Sequence, residues 1–167
     1  DHPLRLGPTE QIPWLARQER RVTQRLGVVD PRSLTYYIAR GGGEGLRKAL
    51  AMAPAAIVQA VTDSGLRGRG GAAFPAGIKW RTVHDAAAGQ KYVVCNADEG
   101  DSGTFSDRML MEGDPFCLLE GMAIAGRAVG ADRGYIYVRS EYPHAIAALE
   151  AAIAGAGDFL AGFRVEV

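Results

Sequence analysis

The sequence contains few of the residues that mark several common classes of protein. Its 167 residues include only two cysteines, Cys95 and Cys117, which do not form a C-x-x-C pair, so no metal-binding or cluster-binding motif is visible. So few cysteines are typical of a reduced, cytoplasmic protein. The 167 residues also contain no apolar run of membrane-spanning length and no signal-peptide pattern. We therefore expect a cytoplasmic location and no direct insertion into a membrane.

The chain also lacks an excess of charge of either sign. Its 19 basic residues balance 19 acidic ones, and its apolar fraction of 47% is that of an ordinary globular protein. The balance gives no reason to expect nucleic acid as a partner. Lysine is scarce, since only Lys48, Lys79 and Lys91 occur, and this makes Lys79 conspicuous directly after a glycine-rich loop.

Short β-rich runs alternate with helical stretches after residue 90. The runs lie at residues 91–95, 134–139 and 163–167. This alternation predicts an α/β fold with a mostly parallel sheet and flanking helices, in which the first strand is buried. A helix is predicted over residues 79–88, and another over residues 55–63, with Pro54 suited to its first turn and Gly65 as its C-cap.

The chain divides into two predicted regions. Residues 1–40 are predicted to form an N-terminal linker and helical segment, with an amphipathic helix over residues 14–22. Residues 41–167 are predicted to form the first part of a ligand-binding domain. The sequence begins without Met and stops inside the third predicted strand, so we expect a piece of a longer polypeptide.

The most informative segment is a glycine-rich, cationic loop within residues 64–80. Its glycines allow the backbone to approach a ligand closely, and its basic side chains add positive charge. The glycines are Gly68, Gly70 and Gly71, and the basic residues are Arg67, Arg69 and Lys79. A tight turn with exposed arginines is the alternative. The Phe-Pro and Lys-Trp pairs at fixed offsets after the glycines favour a ligand site.

Polar residues follow the first predicted strand. Asn96, Asp98 and Glu99 can hydrogen-bond the edge of a heterocycle or ribose hydroxyls at the carboxyl end of a strand, where such folds bind ligands. A capping turn is an equally good interpretation of these residues. Phe74 can stack on a planar ring, whereas Trp80 is better explained as a core residue.

Several motifs together resemble one family of flavoproteins. The matching segments are residues 68–80, 95–99, 103–108 and 135–142. The family comprises the NADH-binding subunit of respiratory complex I, the diaphorase subunit of NAD-reducing hydrogenases and the beta subunit of NAD-dependent formate dehydrogenase. Residues 100–103 and 108–116 are most similar to the formate dehydrogenase branch. Ala73 departs from the family pattern, which has glycine there, and Thr82 stands where complex I members often have an aromatic residue.

The resemblance implies cofactors and residue roles. It implies an incomplete Rossmann-like domain that binds FMN and NAD(H), with a [4Fe–4S] centre expected only in the part of the family's chain beyond Val167. The implied FMN contacts are Gly68, Arg69, Gly70, Gly71, Lys79, Asn96 and Asp98. The implied NAD contacts are Phe74, Glu99 and Asp101. No residue is assigned as a proton-transfer catalyst or a metal ligand.

The resemblance also implies partners, and alternatives remain open. An iron–sulfur subunit or domain of thioredoxin-like type and a formate-oxidising, metal-containing subunit are the expected partners. A complex I or hydrogenase diaphorase subunit is an alternative, and a non-catalytic nucleotide-binding assembly module is an alternative of another class. An ordinary Rossmann dehydrogenase is disfavoured because no glycine loop directly follows an early strand.

Overall fold

The computed structural model describes residue 3, residues 5–8 and residues 11–167. Residues 1, 2, 4, 9 and 10 of the predicted N-terminal segment lie outside the described residues. Eight α-helices, one 3-10 helix and three strands occur in the described part of the chain. The helices are α1 Pro13–Ala16, α2 Leu34–Ala39, α3 Glu44–Leu50, α4 Pro54–Asp63, α5 Ala76–Asp85, α6 Ser106–Gly113, α7 Pro115–Val129 and α8 Pro143–Ala156, with the 3-10 helix at Gly157–Leu160. The strands are β1 Tyr92–Ala97, β2 Arg133–Val138 and β3 Arg164–Glu166.

The three strands form one parallel sheet in the order β1-β2-β3. Tyr92 lies opposite Arg133 and Ala97 opposite Val138, so β1 and β2 pair along their whole length. Parallel neighbours require crossover connections, and these are supplied by α6 and α7 between β1 and β2 and by α8 between β2 and β3. The predicted α/β fold with a parallel sheet and flanking helices is confirmed.

Helix α7 is the centre of the hydrophobic core. Its Pro115 and Gly130 mark the first position and the C-cap, as expected for these residue types. Phe116 and Leu119 are almost completely buried. Helices α3, α4, α5 and α8 and strands β1 and β2 all pack against α7, so this helix connects the sheet to the helices that flank the glycine loop.

One face of the sheet is exposed. Tyr92, Val94, Tyr135 and Tyr137 point to this face and are between 37% and 64% exposed. The expected burial of the first strand is therefore wrong for this face. The helices that follow β1 pack on its other face, where Ala97 is buried.

Several predicted elements have different bounds in the structure, including the strands predicted at 134–139 and 163–167, which are β2 at Arg133–Val138 and β3 at Arg164–Glu166. The predicted helix at 14–22 is wrong in extent, because α1 ends at Ala16 and contains no buried residue to stabilise a longer helix. Helix α5 begins at Ala76 and ends at Asp85, three residues before the predicted start and end, because Pro75 already supplies a fixed backbone conformation before it. Strand β1 extends through Asn96 and Ala97, so Asn96 lies in the strand and not after it.

A buried carboxylate holds the start of α3. Glu120 of α7 is only 7% exposed. Its Oε2 accepts hydrogen bonds from the Tyr37 hydroxyl at 2.5 Å and the Gly43 N–H at 2.7 Å, and its Oε1 accepts from the Leu46 N–H at 2.8 Å. Gly43, the N-cap of α3, has no side chain that could accept from an N–H group in the first turn. Glu120 accepts from the Leu46 N–H instead, from another helix.

Over residues 11–167, no helix is both long enough and apolar enough to cross a membrane.

Candidate functional site

A polar cleft of about 650 Å³ lies at the carboxyl end of β1. It is lined by the tip of the glycine loop, the segment that follows β1 and the start of α6. Seven of the ten predicted site residues line it, namely Arg69, Gly70, Gly71, Asn96, Asp98, Glu99 and Asp101. The others, Gly68, Phe74 and Lys79, lie elsewhere. The cleft occupies the place where parallel α/β sheets bind ligands.

The glycine loop is closed at its base by backbone hydrogen bonds. The Gly68 N–H donates to the Phe74 carbonyl at 2.9 Å, and the Ala76 N–H donates to the Leu66 carbonyl at 2.8 Å. Residues 69–73 therefore form the projecting tip. Gly68 belongs to the base, and its N–H group is already used.

The tip of the loop offers unused donors to the cleft. Within residues 11–167 the N–H groups of residues 69–73 make no hydrogen bond. A Cβ placed on Gly70 or Gly71 would meet no protein atom within 4 Å, and Gly71 has a φ of +112° that side-chain-bearing residues rarely adopt. Open backbone with free N–H groups beside Arg69 fits a phosphate group, and it therefore fits FMN.

The helices on either side of the loop touch through Gly77. A Cβ at Gly77 would lie 2.6 Å from the Cα of Thr62, so only glycine allows α4 and α5 to pack at this distance. The Thr62 hydroxyl in turn donates to the Val58 carbonyl within α4 at 2.8 Å. Gly77, which lies in the same glycine-rich segment as the loop, is therefore a packing residue of α5.

Glu99 directs its carboxylate towards the start of α6. Its Oε2 accepts from the Asp107 N–H at 2.5 Å, and its Oε1 accepts from the Arg108 N–H at 3.4 Å and from the Tyr142 hydroxyl at 3.1 Å. Glu99 therefore caps the start of α6, in agreement with the interpretation of this segment as a capping turn. Sequence reasoning missed Tyr142, which no local spacing connects with Glu99.

The wall opposite the glycine loop is acidic. Within the described part of the chain, neither Asp98 nor Asp101 forms a salt bridge, and the Asn96 Oδ1 accepts from the Asp98 N–H at 3.2 Å. Burial, together with the neighbouring Glu99 carboxylate, raises the pKa of Asp107 above its usual value. An acidic wall disfavours phosphate and accepts hydroxyl or N–H donors. The cleft can therefore bind a ligand with phosphate at the glycine tip and donor groups at the strand end.

Phe74 and Lys79 lie together in a separate, shallow groove of about 430 Å³ on α5. The remaining lining residues are Ile78, Thr82 and Val83. The Lys79 ammonium lies 5.7 Å from the centroid of the Phe74 ring, a cation–π distance. The Thr82 hydroxyl donates to the Ile78 carbonyl at 3.0 Å and so is already used. The structure therefore separates these two predicted contacts from the cleft.

A smaller apolar cavity of about 210 Å³ adjoins the cleft and shares Asn96 and Asp107 with it. Cys95 and Cys117 both line this cavity. Burial raises the pKa of Cys95 to about 11 and also raises that of Cys117, so both remain thiols at neutral pH. Over the described residues, no group of three or more His, Cys, Asp or Glu side chains is arranged to hold a metal ion.

Comparison with known proteins identifies the family. The profile of a family described as the Nuo51 FMN-binding domain of the complex I 51-kDa type matches residues 61–166. The chain belongs to this family. The matched range contains the glycine loop, the whole sheet and the cleft, and the family description confirms FMN as the predicted cofactor.

This FMN-binding-domain chain is also similar to curated and solved proteins. It is 53% identical to the NADP-reducing hydrogenase subunit HndC of Solidesulfovibrio fructosivorans, over 86% of this chain and 29% of that protein. It is 51% identical to an NADH-quinone oxidoreductase subunit of Rhizobium meliloti (strain 1021), over 80% of this chain and 32% of that protein. A crystal structure of an NAD⁺-reducing [NiFe]-hydrogenase in the H₂-reduced state matches with a TM-score of 0.67 and 37% identity, over 96% of this chain and 28% of that chain. The chain thus spans about a third of the length of these curated relatives.

Proposed function

We propose that the chain forms part of an oxidoreductase subunit that binds FMN and passes electrons between NAD(H) and iron–sulfur centres. The observation that carries this proposal is the open glycine backbone of Gly70 and Gly71, which faces the polar strand end across one cleft. The names of the relatives, NADH-quinone oxidoreductase and NAD(P)-reducing hydrogenase subunits, support it. Residues 41–167 would be the first part of the FMN- and NAD-binding domain, preceded by the segment 1–40.

The residues of the cleft would bind and orient the cofactor. The free N–H groups of Gly70 and Gly71, with the Arg69 guanidinium, would hold the phosphate. Asn96 and Asp98 would accept or donate hydrogen bonds at the flavin edge or the ribityl hydroxyls. When bound, FMN supplies hydride acceptance and release of single electrons, which no side chain in the cleft can provide. We assign no proton-transfer role to any residue.

We propose that Phe74 and Lys79 bind the nucleotide. Their common groove on α5 supports contact of Phe74 with the adenine ring and of Lys79 with a nearby negative group, whereas the sequence had suggested an FMN contact for Lys79. Asp101 lines the cleft, where its carboxylate can accept a ribose hydroxyl. Glu99 would border the nucleotide less directly, because its carboxylate caps α6.

Phe74→Ala is expected to raise the KM for NADH about tenfold with little change in kcat, because base–aromatic stacking contributes roughly 1–3 kcal/mol per base. The measurement is steady-state NADH oxidation by the full-length protein with an artificial electron acceptor. Tyr36→Ala is the matched control, since Tyr36 is an exposed aromatic residue on α2. An unchanged KM in Phe74→Ala would remove Phe74 from the nucleotide site.

The function itself is tested on the full-length protein. After reconstitution we expect a flavin absorbance band that NADH bleaches under anaerobic conditions. Failure to bind flavin would contradict the proposal and favour a non-catalytic assembly module. If the protein binds flavin but NADH does not bleach it, the proposal of an FMN site would stand and the proposal of NAD(H) binding would be contradicted.

The electron donor is a finer proposal. Residues 100–103 and 108–116 support the formate dehydrogenase branch, in which a metal-containing partner oxidises formate and a thioredoxin-like iron–sulfur subunit or domain carries electrons. Similarity to hydrogenase and NADH-quinone oxidoreductase subunits supports hydrogen or NADH as the alternative electron donor. Anaerobic reduction of the flavin by formate, and not by hydrogen, in the purified complex is the expected result. The small number of cysteines supports a reducing, cytoplasmic location.

A further inference from the structure

The floor of the cleft contains a residue in a disfavoured conformation. Glu99 has a φ of +45° although it carries a side chain. Residues with a Cβ seldom adopt this left-handed region, and they persist there only where surrounding contacts hold them. Glu99 lies between Asp98 and Asp101, so its conformation sets the direction of the cleft segment 98–101.

Contacts from the β2–α8 connection hold Glu99 at both its side chain and its backbone. The Tyr142 hydroxyl donates to the Glu99 Oε1 at 3.1 Å. The Arg139 Nη1 donates to the Glu99 carbonyl oxygen at 3.1 Å. Because one bond holds the carboxylate and the other holds the peptide group, rotation about the backbone of Glu99 would break at least one of them.

Tyr142 is itself fixed. It is 6% exposed, and the guanidinium carbons of Arg108 and Arg139 lie 5.1 and 5.4 Å from the centroid of its ring. Each arginine is anchored by its own carboxylate, since Arg108 pairs with Glu112 at 2.8 Å and Arg139 pairs with Glu141 at 3.2 Å. The hydroxyl of Tyr142 therefore has little freedom to move away from Glu99.

We propose that Tyr142 and Arg139 are positioning residues that hold Glu99 in its left-handed conformation and thereby place Asp98 and Asp101 in the cleft. They act through Glu99 and do not line the cleft themselves. The proposal rests on the proposed function for the identity of the ligand. The placement of the segment is a property of the protein alone.

A double-mutant cycle tests the proposal in the full-length protein. The variants are Tyr142→Phe, Glu99→Gln and the two combined. Tyr142→Phe keeps the ring between the arginines and removes only the hydroxyl. We expect amide hydrogen exchange in residues 98–104 to rise about fivefold, and FMN affinity, measured by fluorescence quenching, to fall about fivefold. If Tyr142 acts through Glu99, the combined variant is no worse than the more severe single variant.

Tyr137→Phe is the matched control, because Tyr137 is a tyrosine on the exposed sheet face, and both measurements should remain at wild-type values. Additive effects of the two substitutions, or unchanged exchange in Tyr142→Phe, would overturn the proposal. If the wild-type protein binds no FMN, the proposed function fails. Hydrogen exchange then still decides whether Tyr142 and Glu99 position the segment.

Discussion

A Gly71→Val variant of the full-length protein is expected to bind FMN at least about a hundredfold more weakly than the wild type. Gly71 has a φ of +112°, which a β-branched residue can adopt only with strain of roughly 1–3 kcal/mol. The added side chain would also project into the open space at the loop tip, where the phosphate is proposed to bind. The backbone strain and the steric exclusion of the phosphate together account for the expected loss of FMN affinity. Fluorescence titration of the apoprotein with FMN measures it.

The control for this variant is Gly89→Val. A Cβ at Gly89 also meets no atom within 4 Å, but its φ lies outside the left-handed range and it is not among the residues that line the cleft. We expect its FMN affinity to match the wild type. Equal affinities in Gly71→Val and the wild type would mean that the cofactor does not approach the loop tip.

Glu120→Leu is expected to lower the free energy of unfolding by about 3–5 kcal/mol, the range found when one partner of a buried polar network is removed. The substitution leaves the Tyr37 hydroxyl and the N–H groups of Gly43 and Leu46 without their acceptor. In the wild type, burial and the hydrogen bond to Glu120 raise the pKa of Tyr37, which keeps its hydroxyl a proton donor to this carboxylate. Urea unfolding, followed through amide exchange in α3 and α7, measures the change.

Glu150→Leu provides the comparison for Glu120→Leu. Glu150 is an exposed residue of α8, and such surface changes stay within about 0.5 kcal/mol. Tyr37→Phe should lie between the two, at about 1 kcal/mol, since it removes one donor and leaves the carboxylate with two. If Glu120→Leu were as stable as Glu150→Leu, water would have to replace the carboxylate at the start of α3.

Local sequence signals predicted the elements whose causes are local. Proline and glycine at Pro54, Pro115 and Gly130 mark helix ends because their backbone preferences act on the residue itself. The alternation of strands and helices predicted the parallel sheet, because parallel strands need crossover connections that helices supply. The helix predicted at 14–22 was wrong because amphipathic spacing gives a stable helix only if a partner surface covers its apolar side, and Trp14 remains 66% exposed.

Features that join distant residues could not be predicted. Glu120 caps a helix that begins 76 residues earlier in the chain, and Tyr142 contacts Glu99 from a different connection of the sheet. Neither hydrophobic periodicity nor motif spacing in the sequence predicts contacts between residues so far apart in the chain. The resemblance implies that Lys79 contacts FMN together with the glycines and that Phe74 contacts NAD in the same pocket. The backbone bonds from the Gly68 N–H to the Phe74 carbonyl and from the Ala76 N–H to the Leu66 carbonyl instead turn the loop back on itself, and both side chains line the groove on α5.

The contact between α4 and α5 at Gly77 has a consequence for the kinetics of ligand binding. Because the two helices touch and the base of the loop is closed by hydrogen bonds, the ends of the loop are ordered when the protein folds. The entropy of ordering the ends of the loop is therefore lost on folding and not on ligand binding, so a ligand has to order only the tip, residues 69–73. Its rate of association should be governed by diffusion and charge, with no slow rearrangement of these helices before capture.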